Sequence, residues 1–141
     1  MEDEFRSHVR LVARFDEGLA QRIYAGCDIF LMPSRYEPCG LGQLIAMRYG
    51  AVPIGRRTGG LADTIIDLDE HPDTATGFLF DEFSTVDFAS AFERSVRAFR
   101  DEELWLRIQQ NGMSRDYSWR VSANHYVDTY IGALRSSSAS T

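Results

Sequence analysis

Lysine is missing altogether from this 141-residue chain, and all 15 basic residues are arginine. Such usage hints at a GC-rich coding sequence, and no lysine ammonium is on hand for chemistry. Cysteine is scarce as well. Cys27 and Cys39 are too few for a disulfide framework, and neither stands at metal-ligand spacing. No apolar run approaches the ~20 residues that span a bilayer. The opening Met1-Glu2-Asp3-Glu4 is acidic where a secretory leader would be basic, so the expected address is the cytoplasm. A basic surplus is lacking too, and the net charge of −6 argues against general nucleic-acid binding. An anionic small molecule still fits such a protein, provided its positive groups are focused in one cleft.

What is present reads as one soluble globular domain, 44% hydrophobic and 26% charged. Residues 9–13, 29–32, 51–54 and 77–80 are short apolar runs with strand character. The first leads to Asp16, a plausible helix N-cap, and then to Leu19, Ile23 and Tyr24 on a short helix that Gly26 closes. A second helix is expected over 41–49 with Gly50 as its cap, and a third after Gly59-Gly60 through Leu61, Ile65 and Ile66. Residues 67–76 are polar and read as a surface loop. Beyond 80 the chain turns helical. Val86, Ala89, Phe92, Val96 and Phe99 recur at helical spacing behind Ser84 or Thr85, a further helix covers 104–113, and a last one covers 119–134. Packing is the role expected of these late stripes, with Trp105 and Trp119 in them. Residues 1–135 form the domain and 136–141 a polar tail, predicted to be disordered. Alternating strand and helix implies an α/β fold with a parallel sheet and flanking helices, and the low strand count implies an incomplete one.

Two turns stand out. Pro33-Ser-Arg-Tyr-Glu-Pro-Cys-Gly-Leu-Gly-Gln43 follows one strand, and Arg57-Thr-Gly-Gly60 follows the next. Each opens a helix, whose first N–H groups lack intrahelical partners and carry the positive end of the helix dipole. Glycine lets a ligand approach the main chain, and the carboxyl edge of a parallel sheet is where phosphates and sugar hydroxyls are held. Glu37 is placed to accept hydrogen bonds from hydroxyls, with Pro38 stiffening it. A purely structural turn, with the glutamate as a helix cap, meets the spacing equally well. Cys39 at a helix start admits a thiolate nucleophile, but no histidine is near it in sequence. Arg56 and Arg57 can meet phosphate, or serve only solvent or an interdomain pairing. His8, His71 and His125 belong to no constellation.

The wording of these turns resembles the donor site of bacterial glycogen synthases and plant starch synthases. These are retaining glucosyltransferases of the two-domain GT-B architecture, each domain Rossmann-like. The resemblance implies a C-terminal, donor-binding domain for ADP-glucose, with an alpha-1,4-glucan acceptor, no metal ion and no cofactor. It implies that Glu37 orients the glucose through its 3- or 4-hydroxyl, that the amides of Cys39, Gly40 and Leu41 hold the sugar, and that Gly42 approaches the phosphate. Thr58, Gly59 and Gly60 join the donor site. Phe15 stands 22 residues before Glu37, where these enzymes carry a tyrosine stacked on adenine; a core aromatic is the other reading. Two departures matter. Ile45 occupies the position of a second glutamate found in related glycosyltransferases, an acid that the synthases also lack. Gly42 replaces a common threonine, so a hydroxyl to phosphate is missing.

The resemblance also implies what this stretch leaves out. An arginine–lysine pair that stabilises the leaving diphosphate comes from a segment before the first strand here, and the acceptor domain is absent. The expectation is therefore the last third of a synthase, inactive by itself, with a bare sheet edge and an uncovered closing helix that favour self-association. UDP-glucose as donor, another acceptor, or a noncatalytic sugar-nucleotide or glycan-binding module are the alternatives. A phosphate-accepting receiver domain falls for want of a lysine near its site.

Overall fold

The computed structural model describes residues 7–138, so the acidic opening and the last three residues of the tail lie outside the described residues. The elements run α1 (Glu17–Gly26), β1 (Ile29–Met32), α2 (Gly42–Tyr49), β2 (Val52–Arg56), α3 (Gly59–Thr64), β3 (Phe78–Phe80), α4 (Thr85–Phe99), α5 (Glu102–Ser114) and α6 (Trp119–Ser138). Side-chain caps set three of the helix starts. Asp16 accepts from the amide of Leu19, Ser84 from that of Asp87, and Asp101 from that of Leu104.

The three strands form one parallel sheet in the order β1-β2-β3. Ile29 pairs with Val52 and Met32 with Gly55; Ile54 pairs with Phe78 and Arg56 with Phe80. Period-two alternation divides the core between the two faces. Val52, Ile54, Phe78 and Phe80 join Ala91, Ala98, Trp105 and Ile108 of α4 and α5 in the larger cluster. Leu79 joins Leu61 and Ile65, with Met32 against them, in the smaller one on the side of α3. Helix α2 packs on β1, β2 and α5.

Residues 9–13 are not a strand, contrary to their apolar pattern. They are irregular, with Leu11 69% and Val12 48% exposed. A strand exists only through its ladder, and β1 holds the edge of the sheet with no neighbour beyond it among the described residues. The 67–76 segment is a surface loop only in its middle; Asp67, Ala75 and Thr76 are buried at its two ends. Helix α4 presents a different face from the expected one. Ala91, Ser95 and Ala98 are buried while Val86 (75% exposed), Phe92 and Phe99 look outward. Trp105 is buried, but Trp119 is 84% exposed, so the packing role expected of both holds only for the first. Helix α6 runs to Ser138 and takes in three residues of the expected tail. No helix among the described residues is long and apolar enough to cross a membrane.

Candidate functional site

Strands β1 and β2 are neighbours, so the turns that follow them emerge side by side at the carboxyl edge of the sheet. They do more than lie near one another. The amide of Gly60 donates to the carbonyl oxygens of Glu37 at 3.0 Å and Pro38 at 3.2 Å. Backbone sits on backbone at this seam. A Cβ on Gly59 would overlap the carbonyl of Glu37, one on Gly60 would overlap that of Cys39, and Gly59 also has φ 44°. Both glycines are thus required by the approach of the first turn.

A second link runs through side chains. Gln43 is fully buried in the first turn of α2. Its Nε2 donates to Gly40 O at 2.9 Å, Cys39 O at 3.2 Å and Thr64 Oγ1 at 3.1 Å. Thr64 in turn donates to Gly60 O at 2.5 Å. Arg56 supplies a third tie. Its guanidinium donates to Ser34 O (3.1 Å), Asp81 O (3.3 Å) and Arg35 O, joining the start of the first turn to the end of β3.

So fixed, the first turn leaves a row of donors free. Among the described residues no backbone carbonyl accepts from the amides of Cys39, Gly40, Leu41 or Gly42; the first α2 amide with a backbone partner is Ile45, on Leu41 O. Glu37 stands half-buried at the head of this row, with Ser34 Oγ donating to its Oε2 at 3.4 Å. The arrangement offers one carboxylate acceptor and several main-chain donors, the set a polyhydroxylated anion needs.

The other expected residues are distributed unevenly. Gly60 does not offer its amide outward, because the seam consumes it. Thr58 and Gly59 are half-buried on the second turn. Phe15 is 95% exposed, which disposes of the core-aromatic reading. It directly precedes the N-cap of α1, a helix that packs on α2. Cys39 is exposed and has no hydrogen-bonded base among the described residues, so nothing activates it as a nucleophile. Arg57 is paired with Glu70 (2.6 Å) and Asp81 (2.8 Å). Burial alone would lower its pKa, but those two carboxylates outweigh it and raise it. No group of three His, Cys, Asp or Glu side chains gathers at metal distance among the described residues.

Sequence reasoning passed over Gln43, Thr64 and the carbonyl-binding role of Arg56. For Gln43 a signal existed. It shares a helix face with Ala46 and Met47, three and four residues on, so it is a polar residue at a core position.

Known proteins resemble this chain in sequence and in fold. The family profile described as Glycosyl transferases group 1 matches residues 3–115. Glycogen synthase 2 of Geobacter metallireducens is 53% identical over 131 residues, 90% of this chain and 27% of that protein. Glycogen synthase of Moorella thermoacetica is 48% identical over 132 residues, 93% of this chain and 27% of its own length. This chain therefore spans about a quarter of the curated relatives it matches. Among solved structures, the catalytic domain of starch synthase IV from Arabidopsis thaliana, bound to ADP and acarbose, superposes with a TM-score of 0.84. It is 44% identical, across 95% of this chain and 28% of that one. A sucrose-phosphate synthase from Thermosynechococcus elongatus superposes at 0.66 with 26% identity, over 96% of this chain and 33% of that one. The fold is that of the C-terminal domain of GT-B glycosyltransferases. With four fifths of its residues inside the family profile, the chain belongs to the group 1 glycosyl transferases.

Proposed function

We propose that this chain is the donor-binding portion of a glycogen or starch synthase that moves glucose from ADP-glucose to an alpha-1,4-glucan with retention. The observation that carries it is the row of main-chain amides at Cys39–Gly42 that no backbone carbonyl among the described residues takes up, with Gly40 buried and Cys39 and Leu41 exposed, headed by Glu37 and closed against the second turn. In this reading Glu37 accepts from a glucose hydroxyl, the amides of Cys39, Gly40 and Leu41 hold the sugar, and Gly42 lies against the phosphate. Thr58 and Gly59 meet the same ligand from the second turn, and Gly60 serves the site by holding the seam. Phe15 stacks on the adenine, its ring being free to do so. The likeness to two glycogen synthases supports the synthase reading, and the starch synthase bound to ADP and acarbose supports an ADP-linked donor.

Retaining transfer builds negative charge on the leaving diphosphate, and cationic groups must meet it there. Arg56 and Arg57 are spent on Ser34, Arg35, Asp81 and Glu70, and no lysine exists among the 141 residues. Binding without turnover is accordingly the behaviour of this chain alone. The glucan acceptor belongs to a further domain, the donor to the cytoplasm, and the bare β1 edge and α6 give the isolated chain a tendency to self-associate.

Isothermal titration of the 141-residue chain with ADP-glucose, UDP-glucose and a maltooligosaccharide tests the reading. Saturable heat with ADP-glucose and none with the oligosaccharide is expected. Preference for UDP-glucose would move the chain to another glucosyltransferase, and oligosaccharide binding alone would make it a glycan module.

A further inference from the structure

The seam between the two turns is held from inside by one carboxamide. Gln43 donates from the first turn of α2 into that turn's own carbonyls, Cys39 O and Gly40 O, and across to Thr64 Oγ1 at the end of α3. Thr64 hands the link on to Gly60 O, the residue whose amide grips Glu37 O and Pro38 O. The path closes a ring: Gln43, Thr64, Gly60, Glu37 and back along the main chain to Gln43. We infer that Gln43 and Thr64 are positioning residues, which set the spacing between the Glu37–Gly42 row and the second turn. Gln43 has no solvent exposure at all, and the Thr64 hydroxyl is taken up by Gln43 Nε2 and Gly60 O.

Three features argue for positioning over simple packing. An apolar side chain of the same length would fill the same space in α2, so volume does not require an amide. Gln43 Oε1 is buried without a hydrogen-bond partner, a cost the core bears for what Nε2 does. The carbonyls Nε2 holds belong to Cys39 and Gly40 and share peptide planes with the amides of Gly40 and Leu41, so fixing them fixes the direction in which those two N–H groups point. The inference rests on the donor reading for its ligand, and on geometry alone for the link itself.

Gln43→Met removes the amide at similar length. Thr64→Val removes the hydroxyl with almost no change of shape, and Thr64→Ser keeps it. Two readouts apply to the full 141-residue chain: hydrogen exchange of the Gly60 amide by NMR, and titration with ADP-glucose and with ADP. Gln43→Met and Thr64→Val are expected to speed Gly60 exchange and to weaken ADP-glucose about tenfold, the scale of a lost buried hydrogen bond. ADP affinity should move far less, because the sugar subsite is what shifts. Thr64→Ser should restore the parent values. If Gln43→Met does not fold, the Thr64 pair decides. Unchanged Gly60 exchange in folded Thr64→Val, or equal weakening of ADP-glucose and ADP, overturns the inference. If the parent chain takes up no ADP-glucose while Gly60 exchange still responds and is rescued by serine, the link between the turns stands and the donor assignment falls.

Discussion

Phe15 holds its ring in solvent, 95% exposed, with nothing in the described residues stacked on it. Its contribution to folding is therefore small, and in the proposed reading its worth lies in a ligand. Phe15→Ala should leave the denaturation midpoint unchanged while weakening ADP binding about tenfold, the scale of a base–aromatic stack; calorimetry beside a urea titration checks both halves. Asp67 is the opposite case. Its buried carboxylate takes hydrogen bonds from Arg94, at 3.0 and 3.2 Å, and from the amides of Leu79 and Asp69. Burial by itself would raise its pKa, but those donors outweigh burial and hold it below the usual carboxylate range. A carboxylate depressed in the folded state stabilises the fold above its unfolded pKa, about 3.9, and that stability is lost as pH falls through the lower folded value. Asp67→Asn should cost about 3 kcal/mol near neutral pH, toward the low end for a broken buried pair because Arg94 reaches water. It should also flatten the acid limb of a stability–pH curve measured by chemical denaturation below about pH 4. Neither residue's surroundings could be read from the chain. Asp67 and Arg94 are 27 positions apart and only the β3 register brings them together.

At the level of elements, caps and spacing carried most of the information. Asp16, Ser84 and Gly50 mark helix ends where the pattern put them, because capping is settled within four residues. The turn after β1 was legible for the same reason: a strand, a nine-residue turn over 33–41 and a helix follow in one unbroken stretch. Helix orientation and strand pairing are decided elsewhere in the chain. Helix α4 lies on the sheet through Ala91, Ser95 and Ala98, small residues that let it approach β2 and β3, with Phe88 packed beside them and Val86, Phe92 and Phe99 left more exposed. Substitution should report this face. Ser95→Leu overfills the contact and should cost about 2 kcal/mol. Val86→Ser, on the outward face, should stay within about 0.5 kcal/mol. Thermal or urea unfolding of the two variants side by side measures the difference; equal costs would mean the helix is rotated from its described position. Residues 9–13 failed as a strand because a strand is a relation between two segments, and nothing in five apolar residues guarantees the second.

In the molecule as a whole, the described residues form a sheet of three strands in which β1 pairs on one side only. Its last helix leaves Trp119, Tyr126 and Tyr130 exposed, the latter two at 62% and 67%. Open parallel edges and apolar helix faces both recruit partners. The isolated chain should associate as its concentration rises through the micromolar range, which size-exclusion chromatography with light scattering measures. A single monomeric mass across that range would show that edge and helix are adequately protected as they stand.

The two tryptophans make these events separable by eye of a fluorimeter. Trp105 is 6% exposed against the edge of Phe99, and Trp119 is 84% exposed at the start of α6. Unfolding must shift the emission of the first to longer wavelength, whereas covering α6 must shift that of the second to shorter. One spectrum, followed with denaturant and then with protein concentration, thus distinguishes loss of structure from gain of a neighbour without any added label.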